Sequence, residues 1–157
     1  MKGNVAATIA TPLGLAYCIE CSGNAIIAGN FQRTSQLTRS IREPLLREAA
    51  AQINAYFRRR LRRFDLPLFF EGTALQREAW QAITELEFGH FVSYADIARA
   101  INRPHAHRGV AGAMVKTPIS LLIPAHRVLG SDGRIKGADA RSVRAHLVRF
   151  ERTRYCF

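Results

Sequence analysis

The chain has 157 residues, enough for one domain or two very small ones with a real hydrophobic core. Its 48% of apolar and 22% of charged residues are those of an ordinary globular protein, which excludes a disordered or collagen-like chain. The formal net charge of +11 favours a polyanionic partner, either nucleic acid or an anionic membrane surface.

The sequence predicts neither a membrane span nor a secreted protein. The longest apolar stretch, Ile119 to Pro124, is far shorter than the roughly 20 residues that a span needs. The N-terminus lacks the pattern of a secretion signal, and three cysteines argue against a disulfide framework. We therefore expect a soluble monomer in a reducing cytoplasm.

Three short runs of strand-forming residues open the chain. Residues Ala6 to Thr11 and Leu15 to Cys21 are joined by the segment 11–14, whose Pro and Gly stand where a turn needs them. A third run, Ala25 to Phe31, follows a second turn-forming segment. The pattern predicts an antiparallel meander of at least three strands.

From Glu43 to Arg63 apolar residues recur at spacings of three and four, which predicts a helix. This helix ends in five arginines: Arg58, Arg59, Arg60, Arg62 and Arg63. The arginine cluster fits a solvated last turn that complements the helix dipole as well as it fits a phosphate-contacting surface. The periodicity then breaks, so we predict two domains, residues 1–68 and 69–157.

The second half is predicted to be helical. Thr73 can cap a helix whose apolar residues share one face. Ser93 can cap a short helix from Tyr94 to Ile101, and a tight turn leads to another helix from His105 to Lys116. This is the outline of a DNA-binding helix-turn-helix, although many helical hairpins share it.

Small residues crowd the second of these two helices: Ala106, Gly109, Ala111, Gly112 and Ala113. A glycine inside a helix costs about 1 kcal/mol relative to alanine. Two glycines therefore indicate that this backbone lies close to a neighbour, either another helix or a DNA groove. The composition modestly favours the groove, with Arg108 pointing into it.

The segment Ile123 to Val128 reads Ile-Pro-Ala-His-Arg-Val. It resembles the Pro-Cys-His-Arg-Val active-site motif of the O6-alkylguanine-DNA alkyltransferases, with Ala125 at the cysteine position. The resemblance covers residues 72–151, and segment 11–14 is similar to the first hairpin of the family's N-terminal domain. Further matching segments agree with the family in order and spacing: Thr73–Trp80, Phe88–Gly89, Ser93–Tyr94, His107–Val110, Gly133 and Glu151.

The resemblance implies an α/β protein with a small ribonuclease-H-like N-terminal domain and a helical C-terminal domain that carries a winged-helix-like helix-turn-helix. In the family, the cysteine thiolate takes the alkyl group, activated through water by the adjacent histidine and a glutamate behind it. Ala125 has no lone pair with which to do this. His126 and Glu151 are therefore predicted to be the remnant of that relay.

Two more positions depart from the family pattern. Thr117 replaces an asparagine, and the loop after Gly133 lacks the family's Tyr-Ser-Gly-Gly and is one residue shorter. These departures favour a natural alkyltransferase-like protein, which is not an enzyme: it binds O6-alkylguanine in the minor groove by base flipping and marks the lesion for nucleotide excision repair. The alternative is a methylated-DNA-protein-cysteine methyltransferase inactivated by a Cys-to-Ala change. A transferase or hydrolase with another nucleophile, and a binding module without lesion preference, also stay open.

The resemblance assigns roles to single residues. Tyr94 matches a tyrosine that crowds the phosphate of the target nucleotide, and Arg108 matches the finger that fills the vacated stack. His126 and Arg127 are expected to hold their loop by hydrogen bonds. The predicted DNA contacts are Thr73, Tyr94, Ala106, Arg108, Gly109 and Ala113. The predicted lesion pocket is formed by Tyr94, Pro124, Ala125, His126 and Ala138.

The expected partners are double-stranded DNA that contains O6-alkylguanine, which places the protein at the nucleoid, and a damage-recognition protein of nucleotide excision repair. Cys18 and Cys21 have the Cys-x-x-Cys spacing of redox and zinc sites. Residues three apart on a strand point to opposite faces, which opposes shared ligation. We predict no metal and no cofactor, and we interpret Cys156 as a stray thiol.

Overall fold

The computed structural model describes residues 3–134 and 142–153 and has a mixed α/β fold, which confirms the predicted fold class at that level. No helix of these two described ranges is long and apolar enough to cross a membrane.

Two compact units make up the chain. The first consists of Met1–Phe70 with Pro118–Leu122, and the second of Glu71–Thr117 with Ile123–Phe157. No sequence signal indicated that a segment from the second half belongs with the first unit. The domain boundary predicted between residues 68 and 69 stays a prediction.

The first unit contains the predicted meander, which is confirmed. Strands β1 (Val5–Ala10), β2 (Ala16–Ser22) and β3 (Ala25–Gln32) form an antiparallel sheet in chain order. The turns between them place Gly14 and Gly23 at φ values of 76° and 58°, which glycine adopts without steric cost. The local turn chemistry that the sequence displays therefore determines the sheet order.

Helix α1 (Pro44–Phe57) packs against β1 and β2, and its buried residues are Leu46, Ala49, Ile53 and Tyr56. The predicted end at Arg63 is wrong. Arg59 has a φ of 60°, and the amides of Arg59 and Arg60 bond back to carbonyls of the last turn in a Schellman motif. The arginine cluster therefore follows the helix and does not form its last turn.

Three helices form the first part of the second unit: α2 (Ala74–Ile83), α3 (Tyr94–Ala100) and α4 (His107–Val115). The predicted caps are both present. Thr73 and Ser93 each accept a hydrogen bond from the backbone three residues on, and the side chains of Gln76 and Asp96 complete two capping boxes. Helix α4 packs on both α2 and α3.

The remaining elements bring the two ends of the second unit together. Strand β4 (Val92–Ser93) pairs in parallel with β5 (Val128–Leu129), so the start of α3 lies beside the end of a single 3₁₀ turn, Ala125–Arg127. Helix α5 (Val143–Arg152) packs against that turn. The motif predicted to carry the chemistry is thereby held between α5 and the helices before it.

Candidate nucleic-acid interface

The motif segment is buried. Pro124 precedes the 3₁₀ turn, and the amide of Arg127 donates to the Pro124 carbonyl at 2.9 Å. Ala125, His126 and Arg127 are 5%, 1% and 1% exposed. Two polar side chains at this depth require hydrogen-bond partners, because an unpaired buried polar group is costly.

Glu151, near the end of α5, supplies those partners. Its Oε1 accepts hydrogen bonds from the Arg127 Nε at 2.9 Å and from the Gly89 amide at 2.8 Å. Its Oε2 accepts one from the Arg127 Nη2 at 3.3 Å and is also bonded to the His126 Nε2. Arg127 donates a further bond, from Nη1, to the Leu86 carbonyl at 2.8 Å. We call Glu151 with its three partners the Glu151 cluster.

The Glu151 cluster determines which protonation states are present. Burial by itself would raise the pKa of Glu151, but the hydrogen bonds from His126 and Arg127 and the charge of Arg127 outweigh it and lower that pKa to about 2. Burial lowers the pKa of His126 below the usual value for histidine despite the bond to Glu151. Near neutral pH the carboxylate is thus charged and the imidazole neutral, with Nε2–H donated to Glu151 and Nδ1 left as the ring's acceptor.

Sequence reasoning placed His126 and Glu151 together but missed two members of this arrangement. Gly89 was identified as part of a segment that matches the family, and its φ of 77° places it in a turn. The Gly89 amide and the Leu86 carbonyl form hydrogen bonds to the cluster through backbone groups, which a pattern of side chains in the sequence cannot reveal. Arg127 makes hydrogen bonds to Glu151 and to the Leu86 carbonyl, which are of the kind expected of a residue that fixes its loop.

A cavity of about 470 Å³ opens at the start of α3. Tyr94, 7% exposed, borders it together with Ser93 and Ala95, and His107 borders it from α4. The remaining lining residues are Gly130, Ser131, Asp132 and Arg134. Among these lining residues, the sequence analysis assigned a role in DNA binding or in the lesion pocket only to Tyr94. A cavity of this size with mixed polar and apolar walls suits a ligand of nucleotide dimensions.

Helix α4 presents part of its predicted contact set to solvent. Arg108 is exposed and Ala106 is half-buried. Ala113 is 1% exposed, and its carbonyl accepts a hydrogen bond from the Trp80 Nε1 at 2.9 Å. Its side chain therefore belongs to the helical core and is not available to a groove.

Gly109 shows why α4 carries a small residue at this position. A Cβ there would stand 2.4 Å from the Cδ2 of Leu75 on α2, so the two helices approach closely at this point. Gly112 has open space around it. Close packing against a neighbouring helix therefore explains Gly109, but it does not explain Gly112.

The other predicted residues are quickly placed. The Thr73 hydroxyl accepts from the Gln76 amide at 3.2 Å and is used as a helix cap. Pro124 is buried beside Ala125. Ala138 lies outside the described residues, as does Cys156. Apart from the groove contact of Ala113, the predicted roles in DNA binding and in the lesion pocket stay predictions.

The Cys-x-x-Cys pair lies in the first unit. Cys18 is partly exposed and within 3.5 Å of the Thr8 hydroxyl, whereas Cys21 is buried. Burial, followed by the nearby Glu43, raises the pKa of the Cys21 thiol. Within residues 3–134 and 142–153, no three His, Cys, Asp or Glu side chains are grouped as a metal site would need.

Residues 74–153 match the family model "6-O-methylguanine DNA methyltransferase, DNA binding domain". The chain is also 42% identical over 106 residues to a methylated-DNA-protein-cysteine methyltransferase of Methanosarcina barkeri, a match that covers 67% of each chain. The constitutive enzyme of that name from Bacillus subtilis is 34% identical over 128 residues, 80% of this chain and 78% of the relative. The chain therefore belongs to the O6-methylguanine-DNA methyltransferase family, as its motifs indicated.

Solved structures agree with this assignment. The Mycobacterium tuberculosis protein OGT in complex with DNA superposes with a TM-score of 0.77 at 30% identity, over 92% of this chain and 90% of the other. The match extends over both units and confirms the α/β fold of this family. Together with the family model, it identifies the chain as a DNA-binding protein.

The relatives contradict one prediction, that the chain is not an enzyme. Both curated relatives bear the name of a cysteine methyltransferase, and the chain has Cys18 and Cys21 in its first unit. The prediction was wrong because it drew a conclusion about the whole protein from the side chain at position 125. A member of the family can have alanine at position 125, and whether this chain transfers a methyl group is decided by measuring that activity.

Proposed function

We propose that this chain binds O6-alkylguanine in double-stranded DNA, as a methylated-DNA-protein-cysteine methyltransferase whose acceptor cysteine has been changed to alanine at position 125. The observation that carries the proposal is the Glu151 cluster. It holds a neutral His126 directly beside Ala125, with a charged carboxylate behind the ring. This arrangement suits the activation of a thiol at position 125.

The Glu151 cluster also supports the binding of an alkylated guanine, independently of any alkyl transfer. Because Arg127 and His126 are anchored to α5, the backbone of residue 125 is held in place, and we propose that a substituent on the guanine O6 packs against its small side chain. The alkyl group would then lie against a methyl group, which has no lone pair. A lesion that stays bound there suits transfer to a second protein, and we propose a damage-recognition protein of nucleotide excision repair.

Helices α3 and α4 are proposed to act as the helix-turn-helix, in a winged-helix-like second unit beside a ribonuclease-H-like first unit. Asn102, at a φ of 60°, ends α3 and allows the tight turn into α4. Arg108 follows one residue after the start of α4 and is exposed, so it can enter the minor groove. Its planar guanidinium can stack in the place of a flipped guanine.

Tyr94 is proposed to contact the phosphate of that flipped nucleotide. Tyr94 is 7% exposed and borders the cavity, so a phosphate bound in that cavity would lie close to it. The phosphate of the flipped nucleotide would thus bind at Tyr94, with its base directed toward Ala125. This activity belongs at the nucleoid.

The arginine finger gives the experiment that tests this function. We expect Arg108→Ala to reduce the preference for an O6-methylguanine duplex over plain DNA by about tenfold, since unstacking a base costs a few kcal/mol that the guanidinium offsets. Equilibrium titrations of both duplexes at one salt concentration measure the ratio.

The matched control is Arg60→Ala, an exposed arginine of the cluster after α1. A phosphate contact there would weaken the binding of both duplexes alike and leave their ratio unchanged. An unaltered lesion preference in Arg108→Ala would show that Arg108 is not the finger.

A further inference from the structure

Arg144, the second residue of α5, has no counterion among the residues that the structure describes. Its Nε and Nη2 are inaccessible to solvent and have no hydrogen-bond partner within residues 3–134 and 142–153. Buried guanidinium groups are normally paired, because moving a charged donor out of water without giving it a partner is strongly unfavourable. The position therefore needs an explanation.

The surroundings of Arg144 make the cost larger. A cation in the first turn of a helix opposes the helix dipole, and the first turn of α5 contains no acidic residue. The carboxylate of this helix, that of Glu151, already accepts hydrogen bonds from His126, Arg127 and Gly89. Among the described residues, the fold therefore leaves these two donors available to a ligand.

Arg144 lies on the side of α5 that faces the motif segment. Arg144 precedes Leu147, Val148 and Glu151 by three, four and seven residues, so all four share the face of α5 that packs on the 3₁₀ turn. The charge of Arg144 acts on the imidazole of His126, where it is one of the causes that lower the ring's pKa. The guanidinium therefore lies near His126, which adjoins Ala125.

The identity of the two unpartnered atoms indicates what they bind. The Nε and Nη2 hydrogens leave one edge of the guanidinium in parallel, the edge that grips two oxygens of a carboxylate or a phosphate. A neutral alkyl group offers no such pair of oxygens. We propose, on the basis of the proposed function, that Arg144 binds an anionic oxygen pair of the DNA ligand at the Ala125 pocket.

Two sources can supply these oxygens: a carboxylate on the O6 substituent, as in O6-carboxymethylguanine, and a backbone phosphate beside the lesion. The experiment compares duplexes that contain O6-carboxymethylguanine, O6-propylguanine of similar size without charge, or plain guanine. Each is titrated with the unaltered chain, with Arg144→Met, and with Arg149→Met as an exposed arginine of the same helix.

We expect the unaltered chain to bind the carboxymethyl duplex about tenfold more tightly than the propyl duplex, the value of one charge-assisted hydrogen-bonded pair. Arg144→Met should abolish this ratio and Arg149→Met should keep it. Arg144→Lys, which keeps the charge but loses the two-atom edge, should give an intermediate ratio. If Arg144→Met weakens all duplexes equally, and methylphosphonates beside the lesion remove that effect, the phosphate is the anion.

Two results would overturn the inference: affinities that Arg144→Met leaves unchanged, and an equal loss that persists with methylphosphonates. The melting temperature of Arg144→Met provides a further check, because removal of an unpartnered charge should leave it unchanged or raise it. Failure of the proposed function is distinguishable, since the unaltered chain would then bind neither lesion better than plain DNA.

Discussion

Replacing Ala125 with cysteine should give a protein that takes the methyl group of O6-methylguanine onto residue 125. The neutral His126 beside this position has its Nε2–H bonded to Glu151, so its Nδ1 can accept the thiol proton directly or through water. Incubation with a methylated duplex, followed by mass spectrometry of the peptide that contains residue 125, measures the transfer.

Two variants control this experiment. Ala125→Ser places a far weaker nucleophile at the same position and should leave the peptide unmodified within the same time. Adding His126→Asn to Ala125→Cys should slow the transfer by about 10²- to 10⁴-fold, the usual contribution of a general base. If the cysteine variant binds the duplex and remains unmethylated, the proposed role of the His126–Glu151 pair is wrong.

The second large effect concerns stability. Glu151→Gln should lower the free energy of unfolding by about 3–5 kcal/mol at neutral pH, because it leaves the buried Arg127 without its counter-charge and sets an amide NH₂ against donors. Chemical denaturation of the two proteins measures the difference. The control, Glu71→Gln at an exposed position, should change stability by less than about 0.5 kcal/mol.

The pH dependence of this difference follows from the depressed pKa of Glu151. A folded pKa of about 2 against the 4.5 of an unperturbed glutamate means that the stabilisation is fully present above pH 4.5 and is lost as the pH falls toward 2. His126 acts in the same direction, since its pKa is also lowered and the unfolded chain takes up its proton first. A variant as stable as the unaltered chain at pH 7 would contradict the importance of the Glu151 cluster.

Local sequence signals predicted those helices and strands whose ends are set by common turn and capping residues. The Pro-Gly turn and the capping residues Thr73 and Ser93 determine where β2, α2 and α3 begin. The end of α1 was missed because Arg59 adopts a left-handed conformation that usually indicates glycine or asparagine. The same motif ends α3, where Asn102 made the turn recognisable.

Tertiary neighbours explain what sequence reasoning could not assign. The Leu75 side chain, 34 positions earlier in the numbering, packs where a Cβ of residue 109 would lie, so composition alone could not separate helix packing from groove contact. Arg144 looked like any surface arginine, and only the burial of its guanidinium distinguishes it. Resemblance to the family located His126 and Glu151, but not the backbone groups that complete their cluster.

The most direct test of the central claim is a crystal structure of the unaltered chain bound to a duplex that contains O6-methylguanine. We expect the alkylated guanine to be rotated out of the helix, with its O6-methyl group in contact with the Cβ of Ala125 and with Arg108 in the vacated stack. A complex in which the alkylated guanine stays stacked and paired within the duplex, away from Ala125, would contradict the proposed function.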